Sequence, residues 1–136
     1  MAGDVLTSAA ISTLHATAKR VGPFLQSPTG HVQPLHGDAH AGNLIATRDG
    51  LLWIDFEDVC RGPVEWDLAT MMDADAIAVH HQPDPEALAC CTDLRSLQVA
   101  LLLFSLYDVF GDLEVWNKSI DDMLSRLDSA SGQEAS

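Results

Sequence analysis

The stretch that most constrains this chain runs from Leu35 to Asp67, LHGDAHAGNLIATRDGLLWIDFEDVCRGPVEWD. It carries a His-Gly-Asp triplet at residues 36–38, Asn43 five residues after Asp38, and Asp55 at the end of the apolar run LLWI. Asp49-Gly50, set between two apolar runs, is a hairpin signal. It predicts brief strands at Asn43–Thr47 and Leu51–Asp55, folded so that residue 55 returns toward residue 43. Gly37 beside Asp38 lets the backbone bend and turn the carboxylate toward a cleft. A fold that satisfies this stretch must present a carboxylate, an amide and a second carboxylate together. Because Asp55 ends an apolar strand, it is expected to be partly desolvated.

The rest of the composition narrows the chemistry. The chain has 136 residues, a length that suits one domain with a real core. Hydrophobic residues make up 47% and charged residues 20%, as in soluble globular proteins. The net charge is −13, from 20 acidic and 7 basic residues. So few Lys and Arg cannot form a stripe for a nucleic-acid backbone. Nor can they neutralise a triphosphate unaided, so a divalent metal or a basic partner must help. Cys60, Cys90 and Cys91 make an odd count with no C-x-x-C pair, against a disulfide framework or zinc site. A reducing, cytoplasmic setting fits. The N-terminus has no basic segment before an apolar run, so no signal peptide is expected. The apolar run Val99–Phe110 is interrupted by Ser105 and Asp108 and is too short to span a bilayer, so no membrane partner is expected.

Leu6, Ala10, Leu14 and Ala18 recur at four-residue spacing and predict a helix over 4–20, ended by Gly22-Pro23. Residues 26–31 read as a loop and 31–36 as a short extended run. Gly62-Pro63 opens a helix near Val64, with Glu65 and Asp67 in its first turn where negative charge suits the dipole. It is expected to reach about Val79. After the break HHQPDPE, a helix over about 86–110 is nearly apolar on all sides from Val99, which marks a buried central helix. A last amphipathic helix over 112–128 places Leu113, Trp116, Ile120, Met123, Leu124 and Leu127 on one face. A frayed tail is expected over 129–136. The sum is a mostly α lobe with a small β-hairpin, an α+β fold in one domain over 1–136. Its catalytic and metal-binding loops lie at 35–67 and its helical remainder at 68–128.

Phosphoryl transfer needs few protein groups. A carboxylate orients the attacking hydroxyl, and hard oxygen ligands hold Mg²⁺ against the phosphates. Asp38 suits the first role, and Asn43 and Asp55 the second. Protein kinases space a base Asp and a metal-binding Asn in the same way, with a metal-binding Asp following. The chain resembles the aminoglycoside phosphotransferase and choline kinase family, which has a protein-kinase-like fold. The matching residues are His36-Gly37-Asp38, His40, Gly42-Asn43, Ile54-Asp55 and Gly62-Pro63 with Asp67-Leu68-Ala69. The match covers about 34–70 by motif and extends to the C-terminus by helical pattern only. The resemblance implies Asp38 as catalytic base, and Asn43 and Asp55 as Mg²⁺ ligands. It implies that Asp67 braces the catalytic loop and that His36 supports it. It further implies ATP as phosphoryl donor and a small-molecule hydroxyl as acceptor.

The chain departs from that family in two places. Asp55 is followed by Phe56-Glu57 rather than Phe-Gly. Only 35 residues precede His36, where a β-rich N-terminal lobe of roughly 80–100 residues should carry the phosphate loop and the ATP lysine. Lys19 and Arg20 follow no strand-like V-A-I-K pattern. The expected fold is therefore the C-terminal lobe of a kinase-like enzyme, with the N-terminal ATP-binding lobe absent and the cofactor-binding residues unknown. Three readings follow: a catalytic lobe, a non-catalytic remnant or binding module, and one half of a split kinase completed by another chain or a homodimer partner. A fourth takes His36-x-Asp38-x-His40 as an extended metal-binding segment, in which alternate residues share a face. That reading makes the protein a metallohydrolase.

Overall fold

The computed structural model describes residues 6–71, 82–111 and 113–132. Helix α1 spans Ser8–Gln26. Strand β1 is Val32–Leu35, and a three-residue 3₁₀ turn follows at Ala41–Asn43. Strands β2, β3 and β4 are Leu44–Thr47, Gly50–Trp53 and Cys60–Pro63. Helices α2, α3, α4 and α5 are Glu65–Met71, Pro85–Ser105, Tyr107–Phe110 and Glu114–Gly132. The fold is thus mixed helix with small antiparallel sheets, as expected at that level. The chain divides into two compact units, one of residues 1–23 with 93–136 and one of 24–92.

In the first unit, Thr7 caps α1 by accepting the Ala10 N–H at 3.1 Å. The buried stripe of α1 is Ala10, Leu14, Thr17 and Val21. Leu6 and Ala18, expected on that stripe, are exposed. A strict four-residue step overshoots the 3.6-residue turn, so the face must alternate steps of four and three. Leu14, Ala100 and Leu127 form the buried cluster, with Leu97, Phe104, Met123 and Leu124 packed against it. Asp93 of α3 accepts hydrogen bonds from Arg20 Nε at 3.0 Å and Nη2 at 2.8 Å.

Several expected boundaries are corrected. Gly22-Pro23 does not end α1, which carries Pro23 inside its last turn. Loss of one N–H there removes a single bond near a free end. The expected helix over 86–110 breaks at Leu106 into α3 and α4. Nor is α3 a buried central helix. Ala100 and Leu103 are buried, but Leu101 and Leu102 are 52% and 55% exposed. By length and composition alone, α3 is long and apolar enough to cross a membrane, with 22% of its most apolar window buried. On α5, Ile120 and Leu127 are buried as expected, whereas Leu113 precedes the helix and is exposed. The helix continues through 129–132, where a frayed tail was expected. The expected extension of α2 to Val79 lies outside the described residues, as do residues 133–136.

The second unit holds two small sheets. Strands β2 and β3 form the expected hairpin, with Leu44 opposite Trp53 and Thr47 opposite Gly50. Strand β1 pairs antiparallel with β4, from Val32 opposite Pro63 to Leu35 opposite Cys60. The strand at Cys60–Pro63 was not foreseen, because Gly-Pro reads locally as a helix opener. In a two-stranded sheet every strand is an edge, which tolerates Pro34 and Pro63. This pairing sets the start of α2 beside the loop that follows β1.

Candidate active site

The loop after β1 is held from α2. The Asp67 carboxylate accepts the His36 N–H at 2.8 Å and the Gly37 N–H at 2.9 Å. Trp66, its neighbour in the same helical turn, donates its indole N–H to the Gly37 carbonyl at 2.8 Å. Gly37 has φ +89°, and a Cβ there would run into the Asp58 carbonyl oxygen. Glycine is required on both counts. The loop thus lies clamped between α2 and the Asp58 backbone, which fixes where Asp38 emerges.

His36 ties this loop to the second carboxylate. Its Nδ1 faces the Asp38 N–H at 3.4 Å, and its Nε2 lies 2.8 Å from the Ile54 carbonyl. With Nδ1 accepting, Nε2 donates. The ring also packs at 5.1 Å from Trp53 and 4.7 Å from Phe56, centroid to centroid. His36 therefore bridges the loop of Asp38 and the segment of Asp55.

Asn43 is 6% exposed and stands at the end of the 3₁₀ turn. Its Nδ2 donates to the Asp38 carbonyl at 2.9 Å and approaches Asp38 Oδ2 at 3.4 Å. Its own carbonyl accepts the Ile54 N–H at 2.9 Å. The hairpin thus brings residue 43 against the residue before Asp55, as the Asp-Gly turn predicts. Asp55 adopts φ 63°, the one positive φ outside glycine among the described residues. A non-glycine residue held there is strained and points to a constrained site. The expectation of a desolvated Asp55 is corrected. It is exposed, because β3 ends at Trp53 and the backbone turns out of the strand two residues later.

A model of the phosphotransferase enzyme family matches residues 4–102, most of the chain and all of this site. The chain belongs to that family. No curated protein matches it. In this family member, Asn43 contacts Asp38, His36 and Asp67 hold the loop of Asp38, and the Ile54 backbone ties the segment before Asp55 to Asn43 and His36. The metallohydrolase reading does not survive. Gly37 at φ +89° breaks the extended segment that His36-x-Asp38-x-His40 would need. Among the described residues no group of three or more His, Cys, Asp or Glu can hold a metal.

Sequence reasoning missed Trp66, although it adjoins Asp67 and so must lie near the same loop. It also missed Glu65, which is 2% exposed and accepts the Asp84 N–H at 2.9 Å. Nothing in the local sequence separates a buried Glu65 from a helix-start glutamate in solvent. Burial also pushes the Cys91 thiol up to about 12, with Glu65 and Cys90 adding to the effect.

Proposed function

We propose that this family member carries the acceptor-activating and metal-holding half of an ATP-dependent small-molecule phosphotransferase, in a lobe of protein-kinase-like type. The observation that carries this reading is the shared anchoring of Asp38, Asn43 and Asp55. One amide holds the Asp38 backbone carbonyl at 2.9 Å and approaches its carboxylate at 3.4 Å, and one backbone hydrogen bond ties that amide's residue to the segment of Asp55. Phosphoryl transfer rests on such positioning more than on covalent chemistry.

Asp38, with its side chain 27% exposed, orients and deprotonates an incoming hydroxyl. Asn43 and Asp55 fit Mg²⁺, because both offer hard oxygen and the Asn43 nitrogen is engaged by Asp38, turning its Oδ1 to other use. When bound, the ion neutralises charge on the donor's phosphates. Two protein ligands suffice, since phosphate and water complete the octahedron. Asp67 and His36 keep the loop in register. The phosphate loop and ATP lysine would come from another segment or another chain. The acidic chain suits a cationic hydroxyl compound as acceptor. The ion pair of Asp93 midway along α3 suits a soluble lobe rather than a membrane span.

The test is Mg²⁺–ATP titration of the full chain, followed by transfer assays with hydroxyl acceptors. Asp38→Asn should abolish transfer and leave nucleotide binding in place, whereas Asn43→Ala and Asp55→Ala should weaken the Mg²⁺-dependent part of binding. Undiminished turnover by Asp38→Asn would remove the base assignment. Failure to bind nucleotide, alone and with candidate partner lobes, would favour a non-catalytic module.

A further inference from the structure

We propose that His40 is a positioning residue for Asp38, holding one carboxylate oxygen through an imidazole whose proton the backbone assigns to Nε2. The inference rests on the phosphotransfer reading, which gives Asp38 its hydroxyl to meet.

The assignment begins at Nδ1. That atom lies 3.0 Å from the Gly42 backbone nitrogen, which can only donate. Nδ1 is therefore the bare, accepting nitrogen, and the ring proton sits on Nε2. Nε2 lies 3.2 Å from Asp38 Oδ2, close enough to share its proton with that oxygen. Asn43 Nδ2 approaches the same oxygen at 3.4 Å. Oδ2 is held from two sides, which fixes the plane in which the carboxylate meets a hydroxyl.

The backbone reinforces this seat. The His40 N–H donates to the Asp38 carbonyl at 3.0 Å, and the His40 carbonyl accepts the Asn43 N–H at 2.9 Å. One residue thus links the proposed base to the proposed metal ligand. Gly42 leaves the ring its space, since a Cβ there would lie 2.7 Å from His40 Cε1 and 2.9 Å from Nδ1. Gly42 is not at positive φ, so its lack of a side chain serves the ring rather than the backbone. A plain turn-capping histidine would need the Gly42 contact alone. Here the far nitrogen is also engaged, on the carboxylate that matters, while the ring stays 45% exposed and within reach of a substrate.

The test uses the full chain. Long-range proton–nitrogen spectra at neutral to slightly basic pH should show Nε2 protonated and Nδ1 bare, and Asp38→Asn should move the Nε2 resonance. Gly42→Ala should dislodge the ring and erase that dependence. In turnover, His40→Ala and Gly42→Ala should each lower kcat roughly tenfold, the scale of one hydrogen bond to a charged group, with the nucleotide KM unchanged. His40→Gln, which keeps an N–H donor, should recover part of the loss, and His40→Ala should add nothing in an Asp38→Asn background. A ring protonated on Nδ1, an Nε2 resonance indifferent to Asp38→Asn, or full turnover in His40→Ala would each overturn the proposal. Absence of transfer in the unaltered chain would be a failure of the phosphotransfer reading. The spectra would still decide whether His40 holds Asp38.

Discussion

Asp67 accepts two consecutive backbone N–H groups, and no other residue described holds the loop of Asp38 by both. Asp67→Ala leaves both donors without their partner and is expected to destabilise the chain by about 2–4 kcal/mol. Asp67→Asn keeps one acceptor and should fall between. Urea unfolding of the three proteins checks the order, and an Asp67→Ala midpoint equal to that of the parent would remove the clamp. Cys91 supplies a second prediction. Its thiol is 1% exposed and is pushed from 9.0 up to about 12, chiefly by burial. The folded chain therefore keeps this proton at a pH where the unfolded chain releases it. The thiol adds no pH dependence below about pH 8.5. Above that its contribution falls by up to about 1.4 kcal/mol per pH unit until the folded thiol ionises. Denaturant unfolding from pH 8 to pH 10.5 should slope more steeply in the parent than in Cys91→Ala, and equal slopes would sink the idea.

Arg20 on α1 and Asp93 on α3 make the buried-side link between elements of the first unit, with side chains 14% and 16% exposed. Arg20 reaches Asp93 Oδ2 with two nitrogens. Arg20→Met keeps the aliphatic stem and removes the charge, leaving a partly buried carboxylate uncompensated. A loss of about 2 kcal/mol is expected, read as a lower urea midpoint with unchanged slope. Asp93→Asn in the Arg20→Met background should recover part of it, and a double variant no better than the single would argue against charge as the cause. The hairpin of β2 and β3 is different in kind. Leu51 and Leu52 are 73% and 52% exposed, so Leu51→Thr and Leu52→Thr should each change stability by less than about 0.5 kcal/mol. The hairpin exists to return the chain to Asn43, not to fill a core.

At the scale of the molecule, apolar exposure meets strong net charge. Leu101, Leu102, Val109, Leu113 and Val115 are each more than half exposed within one short stretch of sequence. Exposed apolar surface of this kind favours association. The charge of −13 opposes it and is screened by salt. Self-association should therefore rise with ionic strength, the reverse of charge-driven contact. Sedimentation velocity at low and high salt measures it, and Leu102→Glu with Val109→Glu should suppress the rise without lowering Tm. A monomer at every salt concentration would contradict the expectation.

The sequence by itself determined the local turns that carry the candidate site. His36, Asp38, Asn43, Asp55 and Asp67 were legible because a tight turn, a hairpin and a helix start are local structures, fixed by Gly37, Asp49-Gly50 and the residues after Pro63. Tertiary structure decided the rest. Strand β4 forms only because β1, some thirty residues earlier, offers a partner edge. Asp55 is exposed, against first expectation, and Glu65 is buried, because burial depends on what the rest of the chain places overhead. The stripe of α1 turned by the 3.6-residue period, and α3 kept apolar residues in solvent that its all-round apolar composition assigned to a core. Local chemistry writes turns and motifs into neighbouring residues. Pairing and burial are set by contacts between segments far apart in the chain, and those became visible only once the chain was folded.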